Sequence, residues 1–428
     1  MSSVVGGWAG LSSYGGDPRV IASRDEMLRV KARLSAALGL VLGQIQPAAF
    51  LHHTIAHLQL SVHVPELAVR LEALEWACHT AAESFLTQDA RVAAHLKALE
   101  TVLDDQPWLR ALLRGKLAHH LMAGALIGIG VGQFLNGRAA AQLARGVVNG
   151  GPLLLGVGDA HNATNNAAEL GSWLIGREHG LNLGRETGIE VVGTGNHIKD
   201  SIPKNIASLA ARLDEVSGAG RPRIRIDEGE LSNGGRSFVV YVPGTESVAL
   251  GGKSNAFDLN SAVHSFAGDG QAAIDRALQY AMTEAGVGTN DRVIFVGYSQ
   301  GGLAAANMIS KQHVFRVDGL VTFGAPIGHL KLPADVPVLA IEHTNDLVPA
   351  LSGQPNPMTR EWATAQRDYP VPAGHPALFA HHLRAYRDTA FEVDASSEPG
   401  LVRIRGQIEA ALAQAKNETV SWFDVDRI

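Results

Sequence analysis

Apolar positions along the chain follow two different periods. From about residue 18 to 120 they recur every three to four residues. Met27, Val30, Leu34, Leu38 and Val41 form one stripe after Asp17-Pro18, and Leu67, Leu71, Leu74, Ala77, Ala81 and Phe85 form another after Pro65. That spacing lines one face of a helix, and Pro47 breaks the first run. With no β-rich run or hairpin turn among them, residues 1–115 read as an α-helical bundle domain.

Residues 116–204 have a different character, a glycine-rich apolar segment followed by a connector. Its unbroken apolar run, Leu121 to Gly132, falls well short of the ~20 residues a membrane span needs. His119, His120 and Gln133 flank that run, so no firm membrane span is expected. Gly124, Gly128 and Gly132 would line one edge of a helix and permit close backbone approach to a neighbour. The Asn/Gly-rich stretch AHNATNNAAELGSW (160–173) reads as linker.

Helical spacing returns from Ile202 to Leu213, and beyond it the period shortens. RIRIDEG (223–229), SFVVYVPGT (237–245), RVIFVGYS (292–299), GLVTFGAP (319–326) and PVLAIEHTND (337–346) are short runs rich in β-branched residues. Several hold four or more apolar residues in a row, the pattern of strands covered on both faces. Helical stretches at 270–285 and 301–311 lie between them. Alternating strands and helices predict an α/β domain over 205–428 with a mainly parallel sheet flanked by helices.

Composition narrows the possible roles. The 428 residues are 46% hydrophobic and 18% charged, which excludes a disordered, highly charged chain. Lys and Arg number 36 against 42 Asp and Glu, a net charge of −6, so no basic face for nucleic acid is implied. A lone cysteine, Cys78, excludes an internal disulfide and a cysteine-rich zinc site. His53 and His57 have the i, i+4 spacing of a zinc helix, but Thr54 stands where a zinc protease needs glutamate, so no metal is expected. Phosphate-loop and dinucleotide fingerprints are absent from the sequence as well.

The sharpest chemical signal is Gly297-Tyr298-Ser299-Gln300-Gly301-Gly302, placed between the strand-like VIFV and the helix-prone LAAANMI. A serine hydroxyl becomes a useful nucleophile only when it is held out of the sheet beside a base and anion-stabilising amides. A sharp strand-to-helix turn does this but crowds the residues two before and two after, where glycine relieves the strain. Asp346 closes the strand PVLAIEHTND and is the candidate acid, with Glu342 a weaker one inside the strand. His375, His381 and His382 follow downstream as candidate bases. The adjacent pair would point about 100° apart on a helix, so only one of them can reach Ser299. The order serine, aspartate, histidine is that of α/β-hydrolases. For an oxyanion hole, the backbone N–H of Gln300 is one candidate donor, and Thr245 or Glu246, after Val242-Pro243-Gly244, supplies the other.

Together VYVPGT, NAFDLN (255–260), VIFVGYSQGGLAAA, TFGAP, NDLVP and HHLRAY resemble the α/β-hydrolase superfamily over roughly residues 203–395. They are most similar to actinobacterial GxSxG serine esterase or lipase-like proteins with a helical N-terminal region. The resemblance implies hydrolysis of a small-molecule or lipid ester through an acyl-enzyme, without metal or cofactor. In those relatives the histidine commonly precedes a tyrosine by five residues, as His381 precedes Tyr386, so His381 is implied as the base and His382 is the alternate. Acyl transfer on the same triad is one alternative, and a non-catalytic secreted or partner-binding protein with a degenerate hydrolase domain is another.

The N-terminal helical domain is expected to bind a partner or to lie over the active site. It also resembles the helical export-associated domains of type VII secretion substrates. However, Trp8-Ala9-Gly10 precedes the first helix, and the Tyr280 to Glu284 YxxxE match lies in the α/β domain. The opening MSSVVGGWAGLSSYGG lacks the basic start of a signal peptide. A cytoplasmic location is therefore expected, with export lacking a signal peptide as the lesser expectation.

Overall fold

A computed structural model describes residues 11–16, 137, 140–141, 144–148, 166–176, 186–200, 202–218, 220–246, 255–311, 314–372, 375 and 377–428. Of the helical bundle expected over 1–115, only residues 11–16 are described, and there the expectation is corrected: Leu11–Gly15 is a strand, paired antiparallel at the edge of a sheet. The rest of the bundle, the glycine ridge at 124–132 and the His53/His57 pair lie outside these residues. Among the described residues no helix is long and apolar enough to cross a membrane.

The described chain is α/β. In order it runs β1 (Leu11–Gly15), α1 (Asn166–Ile175), β2 (Ile189–Asp200), α2 (Ile206–Ser217), β3 (Arg223–Leu231), β4 (Arg236–Val242), α3 (Leu259–Ala267), α4 (Ala273–Glu284), β5 (Arg292–Tyr298) and α5 (Gln300–Ser310). Then come β6 (Arg316–Phe323), β7 (Val338–His343), the single turn Leu347–Ala350, β8 (Trp362–Arg367), the 3-10 turn Ala377–His381, α6 (Leu383–Ala395), α7 (Pro399–Leu412) and β9 (Ala415–Arg427). The nine strands form one sheet in the order β1-β8-β7-β6-β5-β4-β3-β9-β2.

Strands β4 to β8 pair in parallel, whereas β1·β8, β3·β4, β3·β9 and β2·β9 are antiparallel. The sheet is thus mixed rather than mainly parallel. One cause is local: Ser232-Asn233-Gly234-Gly235 turns β3 back into β4, with Gly234 at φ 77° and the Leu231 amide donating to the Gly235 carbonyl at 2.8 Å. Asn-Gly suits such hairpins because it accepts left-handed backbone angles. The boundary expected at 205 does not bound the sheet either, since β1 and β2 lie before it. One further expectation is corrected: the stretch 160–173, read as linker, contains the start of helix α1. Between β7 and α6 the chain also adds strand β8. Both are short or weakly patterned and take their structure from neighbours: α1 packs Leu170 and Trp173 against Phe266 and Leu351, and β8 is paired on both edges by β1 and β7.

The central strands are covered on both faces. On β5, Val293 and Phe295 join the core beneath α4 and α5, while Ile294 and Val296 join the core beneath α2, α6 and α7. Alternation of side chains across a strand explains why Val293, Ile294, Phe295 and Val296 are apolar without a break. Helix α2 starts where Asn205 and Ser208 cap each other, and the Asp394 carboxylate accepts from the Ile206 and Ala207 amides at 3.0 and 2.9 Å. A carboxylate at that end offsets the helix dipole and docks α6 against α2.

Candidate active site

Ser299 occupies the single position between β5 and α5, with φ 53° and ψ −121°. A side-chain-bearing residue at such angles is strained by ~1–3 kcal/mol, so the surroundings must hold it there. They do so in two ways. The Ser299 amide donates to the Phe323 carbonyl of neighbouring β6 at 2.9 Å. The flanking glycines also let the turn close: a Cβ on Gly301 would sit 2.2 Å from the carbonyl oxygens of Val242 and Pro243, and one on Gly297 2.5 Å from the Gly302 Cα. Contact is equally close at Gly244, where a Cβ would lie 3.0 Å from that of Ser299, so the chain after β4 runs against the serine.

His381 ends the 3-10 turn before α6, and its Nε2 lies 2.9 Å from Ser299 Oγ. Its Nδ1 lies 2.6 Å from Asp346 Oδ2. A carboxylate can only accept, so Nδ1 carries a proton and neutral Nε2 is left to accept from the serine hydroxyl. Tyr298 stacks on the His381 ring at 5.1 Å and donates its hydroxyl to the His381 carbonyl at 2.5 Å.

Asp346 is fully enclosed and sits just beyond β7. It accepts from His381, from the Tyr386 hydroxyl at 2.7 Å and from the Val348 amide at 2.9 Å. Burial pushes its carboxyl up, but His381, Tyr386 and Val348 together outweigh burial and hold it below its ordinary value. Glu342, the weaker acid candidate, points to the other face of β7. There it accepts from Asn356 at 2.7 Å and Gln366 at 3.3 Å, and burial raises its carboxyl.

The remaining candidates sort by position. His382 is exposed as the residue preceding α6, and His375 is exposed; both rings lie against Phe379 rather than Ser299. The Gln300 amide heads α5 and has no acceptor among the described residues. The same holds for the Thr245 amide, while the Thr245 hydroxyl donates to Gln300 Oε1 at 2.9 Å. Glu246 is unsuited as a donor, since its amide is bonded to the Phe257 carbonyl at 2.8 Å. Sequence reasoning missed Tyr298 and Tyr386 as partners of the histidine and the aspartate. The five-residue step from His381 to Tyr386 was the only trace of the second.

Among the described residues no group of three or more His, Cys, Asp or Glu side chains is placed to hold a metal ion. The arrangement can withdraw a proton from Ser299, and the amides of Gln300 and Thr245 are left unbonded among the described residues. Comparison with protein-family models, with curated proteins and with solved structures finds no match.

Proposed function

We propose that the chain is a serine hydrolase of the α/β-hydrolase superfamily that cleaves carboxylic esters of small molecules or lipids. One observation carries this reading: an unbroken hydrogen-bonded line from Ser299 Oγ through His381 to Asp346, at 2.9 and 2.6 Å, with the serine on a strained turn at the head of a helix. The three groups follow β5, β7 and β8 in the chain order of that superfamily.

In the proposed reaction Ser299 Oγ attacks the ester carbonyl carbon as its proton passes to His381 Nε2. Asp346 stabilises the imidazolium so formed without taking the proton. The carbonyl oxygen, now an anion, is met by the Gln300 and Thr245 amides at the positive end of α5. Collapse breaks the bond to the alcohol oxygen, which leaves with the proton from His381, and Ser299 is left acylated. Water then gives a proton to Nε2 as its oxygen attacks the acyl carbon; the bond to Ser299 Oγ breaks, His381 returns the proton to that oxygen, and the acid is released.

A fluorophosphonate probe and a panel of p-nitrophenyl esters of rising acyl length test the proposal. Wild-type protein is expected to be labelled covalently and to hydrolyse at least one ester, and Ser299→Ala to do neither. Folded wild-type protein that resists the probe and leaves every ester intact would refute it.

A further inference from the structure

His343 is buried beside this site, and the reaction itself does not use it. It is the last residue of β7, 2% exposed, on the face opposite Glu342. One face of its ring lies flat on Tyr386, with centroids 4.0 Å apart and planes 4° apart, and it stacks on Tyr369 at 4.9 Å. Both ring nitrogens are engaged: Nδ1 is 2.6 Å from the Ala380 carbonyl, and Nε2 is 2.8 Å from Thr389 Oγ1 on α6. A carbonyl can only accept, so Nδ1 carries the proton and Nε2 of the neutral ring accepts from the threonine hydroxyl.

These contacts lead to two different members of the site. Ala380 directly precedes His381, so the imidazole of His343 holds the backbone of the short turn that presents the base. The next carbonyl, that of His381, is held by Tyr298. Two successive carbonyls, one on each side of the His381 Cα, are thereby held, which restrains the backbone that carries the base. The second path runs through Tyr386. Its ring is held against His343, its oxygen accepts from the His343 amide at 3.2 Å, and its hydroxyl donates to Asp346.

On the reading above, we propose that His343 is a positioning residue that sets the His381–Asp346 pair through Ala380 on one side and Tyr386 on the other. Burial favours the neutral ring this role needs, lowering the imidazole to about 4. Misplacement of a reacting group by 1 Å can cost on the order of 100-fold in rate, so a loose turn at 377–381 would show in kcat.

The test separates donor from filler. His343→Phe keeps an aromatic ring between the two tyrosines and loses the Nδ1 donor. His343→Asn carries an amide nitrogen close to where Nδ1 stood, and His343→Gln carries its amide nearer to Nε2. Two quantities are read: kcat and KM on p-nitrophenyl butyrate, and the low-field NMR signal of the His381 Nδ1 proton, seen without turnover. Phe and Gln variants are expected to lose about 10- to 100-fold in kcat with KM little changed, and to broaden or lose that signal. The Asn variant should regain most of kcat and the signal.

A Phe variant with wild-type kcat and an intact signal would overturn the proposal, as would Asn and Gln variants that behave alike. If the Phe variant does not fold, the Asn and Gln pair decides by itself. Failure of the hydrolase reading is distinguishable. An inert wild type whose His381 signal still survives Asn but not Gln retains the positioning role, and an active wild type with indifferent variants retains only the hydrolase.

Discussion

Replacing Tyr386 by phenylalanine would remove one oxygen from a packed core and leave the ring in place. The hydroxyl is one of three donors to Asp346 and, at 2.7 Å, the shorter of the two that are not histidine. A hydrogen bond to a buried charge contributes about 1.5–3 kcal/mol, so at neutral pH Tyr386→Phe should lose about that much stability. Its pH dependence follows from the sign of the Asp346 shift. The folded carboxyl lies below its ordinary value, so its stabilisation is present above the unfolded pKa of about 3.9 and lost as pH falls through the folded one. Without the hydroxyl, burial is less opposed and the folded carboxyl titrates at higher pH. The gap between wild type and variant should thus be full near neutrality and close as both forms protonate. If half of the bond energy reaches the transition state, kcat/KM falls about 4- to 13-fold. Urea unfolding from neutral pH down to about pH 2, with ester hydrolysis near neutrality, measures both effects. A gap at neutral pH under about 0.5 kcal/mol, or one that widens with acid, would refute the reasoning.

Three further expectations follow from other parts of the structure. Asp346→Asn should lower kcat by ~10⁴ by fixing the wrong tautomer on His381, while His382→Ala retains activity; steady-state kinetics in which the two variants match would contradict the geometry. Gly301→Ala drives a methyl into the Val242 and Pro243 carbonyls and should cost ~1–3 kcal/mol or more, so an unshifted thermal melt would count against the tight turn. Asp275, bonded to Ser265 and Asn307 between α3, α4 and α5, is pushed up to about 6 by burial. Its contribution is present below the unfolded value and is lost as pH rises through about 6, a difference of roughly 3 kcal/mol. Asp275→Asn should flatten that slope in urea unfolding across the acid range, and an unchanged slope would sink the assignment.

Much of the candidate site was legible because its features are local. The turn at Ser299 needs an apolar strand before it, a helix after it and small residues around it, all within about a dozen positions. Strand ends are equally local, which is why Asp346 stood out just beyond β7. The choice of histidine was of another kind. His381 and His382 are neighbours with the same side chain, and their difference lies in which one the 3-10 turn directs toward Ser299 and which one precedes α6 at the surface. Thr245 and Glu246 were likewise alike until the Phe257 carbonyl engaged the Glu246 amide.

The amino-acid sequence alone determined the α/β character of the chain after residue 205, the strand–turn–helix at Ser299 and the order of serine, aspartate and histidine. Periodicity and steric tolerance act between near neighbours, and sequence records near neighbours directly. Tertiary structure alone decided that Leu11–Gly15 and Ile189–Asp200 join the same sheet, that half of its strand pairings run antiparallel, and that Tyr298, His343 and Tyr386 surround the histidine and the aspartate. Those outcomes depend on partners tens to hundreds of residues away, where pairing and burial are settled by packing in three dimensions.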